Sequence, residues 1–150
     1  MAQARDGKEL QGKVVALLGG SGFFGRHVAQ ELLSRGARLR IVSRHPERAF
    51  ALKPLGGLGQ VQFLRADITR PQSLAAAFDA VDAVVNLAAT GIGDRRWTAA
   101  RKREILLSRT QGTLTLVHAL QPDGRCQRLL NGSAIGFYGS TGDRIVDEDS

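Results

Sequence analysis

The stretch Lys13-Val14-Val15-Ala16-Leu17-Leu18-Gly19-Gly20-Ser21-Gly22-Phe23-Phe24-Gly25 decides the fold. It opens with a short apolar run, Lys13 to Leu18, that reads as a buried strand. Glycines follow at once. Beyond them Phe24, Val28, Leu32 and Leu33 recur at helical spacing as far as Arg35. Gly36 then ends the helix as a C-terminal glycine does. A strand that turns through spaced glycines into a helix is the form in which a chain cradles a dinucleotide. Gly19 permits the tight turn, Gly22 lets backbone approach a pyrophosphate, and Gly25 lets the helix pack close to the strand. The N–H groups at the helix start face the phosphates. Ser21, Phe23 and Phe24 belong to the same turn and are read as cofactor-binding with it. A tight strand–helix turn without a ligand is the alternative reading.

Working outward, the pattern repeats. Leu39 to Val42 reads as a second strand, Pro46 to Lys53 as a short helix with proline in its first turn, and Val61 to Leu64 as a third strand. A helix is expected from Gln72 to Phe78. Ala83 to Leu87 is a fourth strand, apolar enough to be covered on both faces. A long helix follows from about Thr98 to Leu120, then a turn at Gln121 to Gly124 and a fifth strand from Arg128 to Asn131. This alternation predicts an α/β, Rossmann-type doubly wound parallel sheet of about five strands in the order 3-2-1-4-5. Residues 1–12 read as a polar tail and residues 13–134 as the dinucleotide-binding domain. Residues 135–150 read as a loop and acidic tail leading to an absent C-terminal part.

The end of the second strand selects the nucleotide. An NAD site places Asp or Glu there to hold the ribose 2′-OH. This chain has Ser43 and Arg44, with Arg48 in support. A hydroxyl and guanidinium groups suit a 2′-phosphate, so NADP(H) is expected over NAD(H). A plain surface arginine is the alternative reading of Arg44.

Composition narrows the class. The chain has 150 residues, 43% of them hydrophobic and 23% charged, which suits one globular domain. No apolar run reaches the roughly 18 residues of a transmembrane helix, and the polar N-terminus lacks a secretory h-region. One cysteine, Cys126, fits a reducing compartment. A cytoplasmic location is expected. The net charge is +7, yet the arginines are scattered. The densest run, Arg95 to Arg103, carries only Trp97 as an aromatic and reads as a solvated helix face, so no nucleic-acid partner is expected. No His, Cys or carboxylate set has metal-ligand spacing, and no metal is expected.

The spacing Gly19-x-x-Gly22-x-x-Gly25 resembles the extended and atypical branches of the short-chain dehydrogenase/reductase superfamily. Asp67-Ile68 resembles the superfamily's adenine-contacting pair, although Asp67 also reads as the cap of a local turn. Asn86-Leu87-Ala88-Ala89 resembles its cofactor-lining segment. Val14 to about Ala89 resembles the NADPH-binding accessory subunit of respiratory complex I, which implies peripheral association with a respiratory complex. From about Ala83 onward, RRWTAARKREILLSRTQGT and GSAIGFYG resemble the atypical nucleoside-diphosphate-sugar epimerase family. A chimera with its seam near Asp82–Ala88 is one reading of this change. An intermediate branch is the other.

The superfamily implies a catalytic Ser or Thr after the fifth strand and a downstream Tyr-x-x-x-Lys. Ser133 lies near the first position, with Ala134 the competing alignment. The one tyrosine, Tyr138, has Gly142 four residues on, and no Tyr-x-x-x-Lys occurs. Three readings follow. The chain is an NADP(H)-binding module incomplete for catalysis, the N-terminal part of an NADP-dependent oxidoreductase or sugar-nucleotide epimerase with an unknown small-molecule substrate, or a structural subunit whose fold NADPH stabilises. The long helix carries too many apolar residues for one stripe. A second, exposed face is expected on it, and with it a weak homo-oligomer through residues 98–120.

Overall fold

The structure is a computed structural model that describes residues 9–120, 124–126 and 128–150. Its strands are β1 (Val14–Leu18), β2 (Arg38–Ser43), β3 (Val61–Arg65), β4 (Ala83–Asn86) and β5 (Leu129–Asn131). They form one sheet in the order β3-β2-β1-β4-β5, with every pairing parallel. The helices are α1 (Phe23–Ser34), α2 (Ala75–Phe78) and α3 (Ala99–Ala119). This is the doubly wound architecture expected from the sequence. The turn expected at Gln121 to Gly124 and the tail before residue 9 lie largely or wholly outside the described residues.

Alternation along the strands explains their unbroken apolar runs. Val15 and Leu17 face a core beneath α1, with Ala29, Leu33, Leu39 and Ile41. Ala16 and Leu18 face the opposite core, with Val42, Leu74, Phe78, Val84 and Leu116 of α3. Both faces of β1 are therefore buried, as a central parallel strand requires.

Two expected helices take other forms. Pro46–Leu55 is a 3-10 helix with Pro54 inside it, because proline offers no N–H to an α-helical ladder. The expected Gln72–Phe78 helix divides into a 3-10 turn, Pro71–Ser73, and the four-residue α2. Arg40 compensates for so short a helix. Its Nη1 donates to the carbonyl oxygens of Ala77, at 3.1 Å, and of Asp79, which helical bonding leaves unpaired.

Below the sheet, Asp82 ties three elements together. It accepts from the Val14 N–H at 2.7 Å and from Arg125 Nε at 3.0 Å, and pairs with Lys13 at 3.6 Å. The Arg125 bond, with the Val14 bond and both cations, holds its carboxyl below the usual aspartate value against the opposing effect of burial.

Candidate functional site

The C-terminal ends of the strands meet in a crevice of two adjoining clefts. Leu87, Ala88 and Ala89, which follow β4, line both.

The first cleft, about 310 Å³, gathers residues from four connections. Gly19, Ser21 and Gly22 come from the turn between β1 and α1. Ser43, Arg44, His45 and Arg48 come from the end of β2 and beyond. Asp67, Ile68 and Thr69 follow β3, and Leu87 to Thr90 follow β4. Of the fourteen positions singled out in sequence for the cofactor, eleven line this cleft: Gly19, Ser21, Gly22, Ser43, Arg44, Arg48, Asp67, Ile68, Leu87, Ala88 and Ala89. Phe24 lines the second cleft instead. Phe23 lines neither, and its ring stands 81% exposed, edge-on to His27.

Two glycines are dictated by backbone contact. Gly19 has φ +79°, and a Cβ there would lie 2.7 Å from the Leu87 carbonyl carbon. A Cβ on Gly25 would run into the Gly19 carbonyl oxygen and, at 2.6 Å, the Gly20 Cα. The turn thus lies flat against both its own helix and the end of β4, and the floor of the crevice is backbone.

The helix starts differ in a way that bears on anions. At α3 the Thr98 side chain accepts from the Arg101 N–H at 3.2 Å. At α1 the N-cap is Gly22, no side chain caps the start, and no acidic residue occupies the first turn. The first-turn N–H groups of α1 thus remain for a ligand, and with the positive end of the helix they favour a phosphate.

The charges agree with that preference. Arg44, His45 and Arg48 line the β2 side of the cleft. Glu47 is engaged with His45 at 3.2 Å and with Arg65 at 3.7 Å. Asp67 accepts from the Thr69 N–H at 2.9 Å and from Thr69 Oγ1 at 2.8 Å. Burial acts to raise its carboxyl, but these bonds and the charges of Arg44 and Arg70 hold it below the usual value. Asp67 therefore caps its local turn and also lines the cleft. Ile68 packs against α3 where Gly112 leaves room, since a Cβ on Gly112 would lie 2.9 Å from Ile68 Cδ1.

The second cleft, about 540 Å³, is lined by Phe24, Asn86, Leu87–Ala89, Arg109, Thr113, Asn131, Gly132, Ser133, Ala134 and Phe137. Ser133, the sequence candidate for catalysis, is exposed here beside Ala134. Asn86, buried at the end of β4, donates from Nδ2 to Asn131 Oδ1 at 2.7 Å and accepts from the Ala88 N–H at 3.1 Å.

Sequence reasoning missed Arg101 and Arg109. Arg101 belongs to the run read as a solvated face, yet it is only 8% exposed. It donates to Asp94, to Glu104 at 2.7 Å and to the Gly91 carbonyl at 2.8 Å. It thereby clamps the loop after β4 onto α3. The nearby Asp94 was the available signal. Among the described residues, no cluster of His, Cys, Asp or Glu could hold a metal, and no helix is long and apolar enough to cross a membrane.

Comparison with known proteins fits this geometry. The sequence model of the NAD dependent epimerase/dehydratase family matches residues 15–150. An epimerase family protein of Mycobacterium leprae is 37% identical over 139 residues, covering 91% of this chain and 40% of that protein. An epimerase family protein of Bacillus subtilis is 30% identical over 137 residues, covering 91% of this chain and 42% of that protein. The chain thus spans about 40% of the length of these relatives. At 91% coverage of this chain, both matches include residues on either side of Asp82–Ala88. Among solved structures, a short-chain dehydrogenase/reductase described as glucose/ribitol dehydrogenase, from Brucella melitensis, superposes with a TM-score of 0.73. It is 17% identical and covers 88% of this chain and 61% of that one, which shows the shared fold.

Proposed function

The chain belongs to the NAD dependent epimerase/dehydratase family, and on that premise we propose that its crevice binds NADP(H), with the adenine end in the first cleft. The observation that carries this is the convergence there of the uncapped α1 start with Ser43, Arg44 and Arg48. Asp67 and Ile68 border the adenine. The N–H groups of the glycine turn take the pyrophosphate. Arg44 and Arg48 take the 2′-phosphate, for which a guanidinium provides both charge and a matching fork of donors. The nicotinamide end passes over Ala88 and Ala89, whose small side chains keep the way open into the second cleft.

Bound there, the cofactor supplies hydride transfer. The residues of this chain hold and orient it. Ser133 stands at the nicotinamide end with a hydroxyl able to donate to a substrate oxygen, and no residue among these 150 supplies the tyrosine–lysine pair of the superfamily. The reading is therefore a binding module incomplete for catalysis as this chain. Turnover of NADPH with a carbonyl or sugar-nucleotide substrate would favour the alternative, an active oxidoreductase or epimerase. Exposed Leu106, Leu107, Leu114 and Val117 on α3 support weak self-association of the chain as it stands.

Titration with NADPH and NADH, followed by nicotinamide fluorescence and Tm, tests the proposal. At a hundredfold excess over Kd, bound NADPH stabilises by about 2.7 kcal/mol. Arg44→Asp weakens NADPH by about tenfold or more through loss of a charge-assisted pair, while NADH changes little. An equal loss for both nucleotides refutes the 2′-phosphate role, and no shift with either refutes the binding site.

A further inference from the structure

We propose that Arg109 is a binding residue for an acidic substrate, fixed in the second cleft to take a carboxylate or phosphoryl group beside the nicotinamide. This rests on the reading that the crevice holds NADP(H) with its nicotinamide end over Ala88 and Ala89. Arg109 belongs to α3 but is tied to the loop after β4. Its Nη1 donates to the carbonyl oxygens of Thr90 and Ile105, both at 3.2 Å, and to Ser108 Oγ at 3.4 Å. Those bonds use one corner of the guanidinium and fix its plane. Among the described residues, Nε and Nη2 make no hydrogen bond. These two nitrogens form the side edge of the fork, the edge that pairs bidentately with the two oxygens of an acid group.

The surroundings favour the same ligand. Among the described residues, no acidic side chain lines the second cleft, so none of them competes there for Arg109. The other polar groups are largely turned on one another. Asn86 Nδ2 and Thr113 Oγ1 both donate to Asn131 Oδ1, at 2.7 Å and 3.3 Å, and Asn131 Nδ2 donates to the Gly132 carbonyl at 3.2 Å. Phe24, Leu87, Ala88, Ala89 and Phe137 complete the wall. A prepositioned fork costs less ordering entropy on binding than a free arginine. Arg44 and Arg109 thus divide the work along one crevice, the first toward the cofactor and the second toward the substrate.

The test uses the full chain loaded with NADPH. It is titrated with inorganic phosphate and, separately, with acetate, chloride holding ionic strength constant, while NADPH fluorescence and Tm are followed. The expected result is a saturable response to at least one of the two anions, and the one that saturates identifies the acid group. Arg109→Ala weakens that anion at least tenfold and changes the Kd of NADPH by less than threefold. A response to neither anion beyond that to chloride overturns the proposal. So does a tenfold loss of NADPH affinity in Arg109→Ala, which would place Arg109 on the cofactor's own phosphates. If wild type fails to bind NADPH, the cofactor reading has failed by itself. The same titrations of the free protein, read by Tm, then still decide for or against the anion site.

Discussion

Around the glycine turn, backbone meets backbone. Along α3, apolar side chains meet solvent. In the first region Gly19 and Gly25 leave no space for even a methyl group, and the β1, β2 and α1 residues beneath them are buried. In the second, Leu116 is fully buried and Leu106, 59% exposed, faces outward from the same helix. The edge strand β5 is three residues long, and its Leu130 is 55% exposed. The first cleft is floored by tightly packed backbone, and the second is bordered by elements that carry exposed apolar side chains. The two share Leu87–Ala89.

Substitutions can break this comparison. The largest effect is expected at Gly25→Ala. The new methyl group meets the Gly19 carbonyl and Gly20 Cα, atoms that cannot move without moving the turn. A cost of about 3 kcal/mol and loss of NADPH binding are expected, read by urea unfolding and nucleotide titration. Near-normal stability would show that the turn yields, and the contrast between the two regions would weaken.

A smaller effect is expected at Asp82→Asn, which acts beneath both regions. The Asp82 carboxyl is depressed in the folded protein. Its contribution is therefore complete above the ordinary aspartate value of about 3.9 and is lost as pH falls through the lower folded-state value. Because Arg125 and Lys13 are more than half exposed, solvent screening limits that contribution to about 1 kcal/mol. Unfolding midpoints measured between pH 7 and pH 2 should fall less steeply in Asp82→Asn than in wild type. Parallel curves would remove Asp82 as the cause.

The smallest effect on stability is expected at Leu106→Lys, within about 0.5 kcal/mol. Its interest lies in association. Light scattering at high concentration should show wild type self-associating and the variant monomeric, and a monomeric wild type would contradict the oligomer reading.

What the sequence made legible follows the same contrast. The five strands and their order could be read because each is a short apolar run bounded by turns, and because parallel strands buried on both faces need such runs. The glycine turn could be read because its chemistry is local. The residues of α2 could not be read as a short helix, since the carbonyl capping that permits it comes from Arg40, distant in sequence. Arg101 and Arg109 look alike in an arginine-rich helix. Only the path of the loop after β4 makes one a buried clamp and the other an edge of the second cleft. Side chains whose role depends on packing between distant segments leave no local pattern.

The Asn86 amide has one further consequence. Its nitrogen holds Asn131 on the outermost strand, and its oxygen holds the Ala88 N–H on the wall shared by both clefts. A single planar group links the sheet's margin and its middle. The exposed edge strand and the wall common to both clefts are thus pinned by the two ends of one side-chain amide.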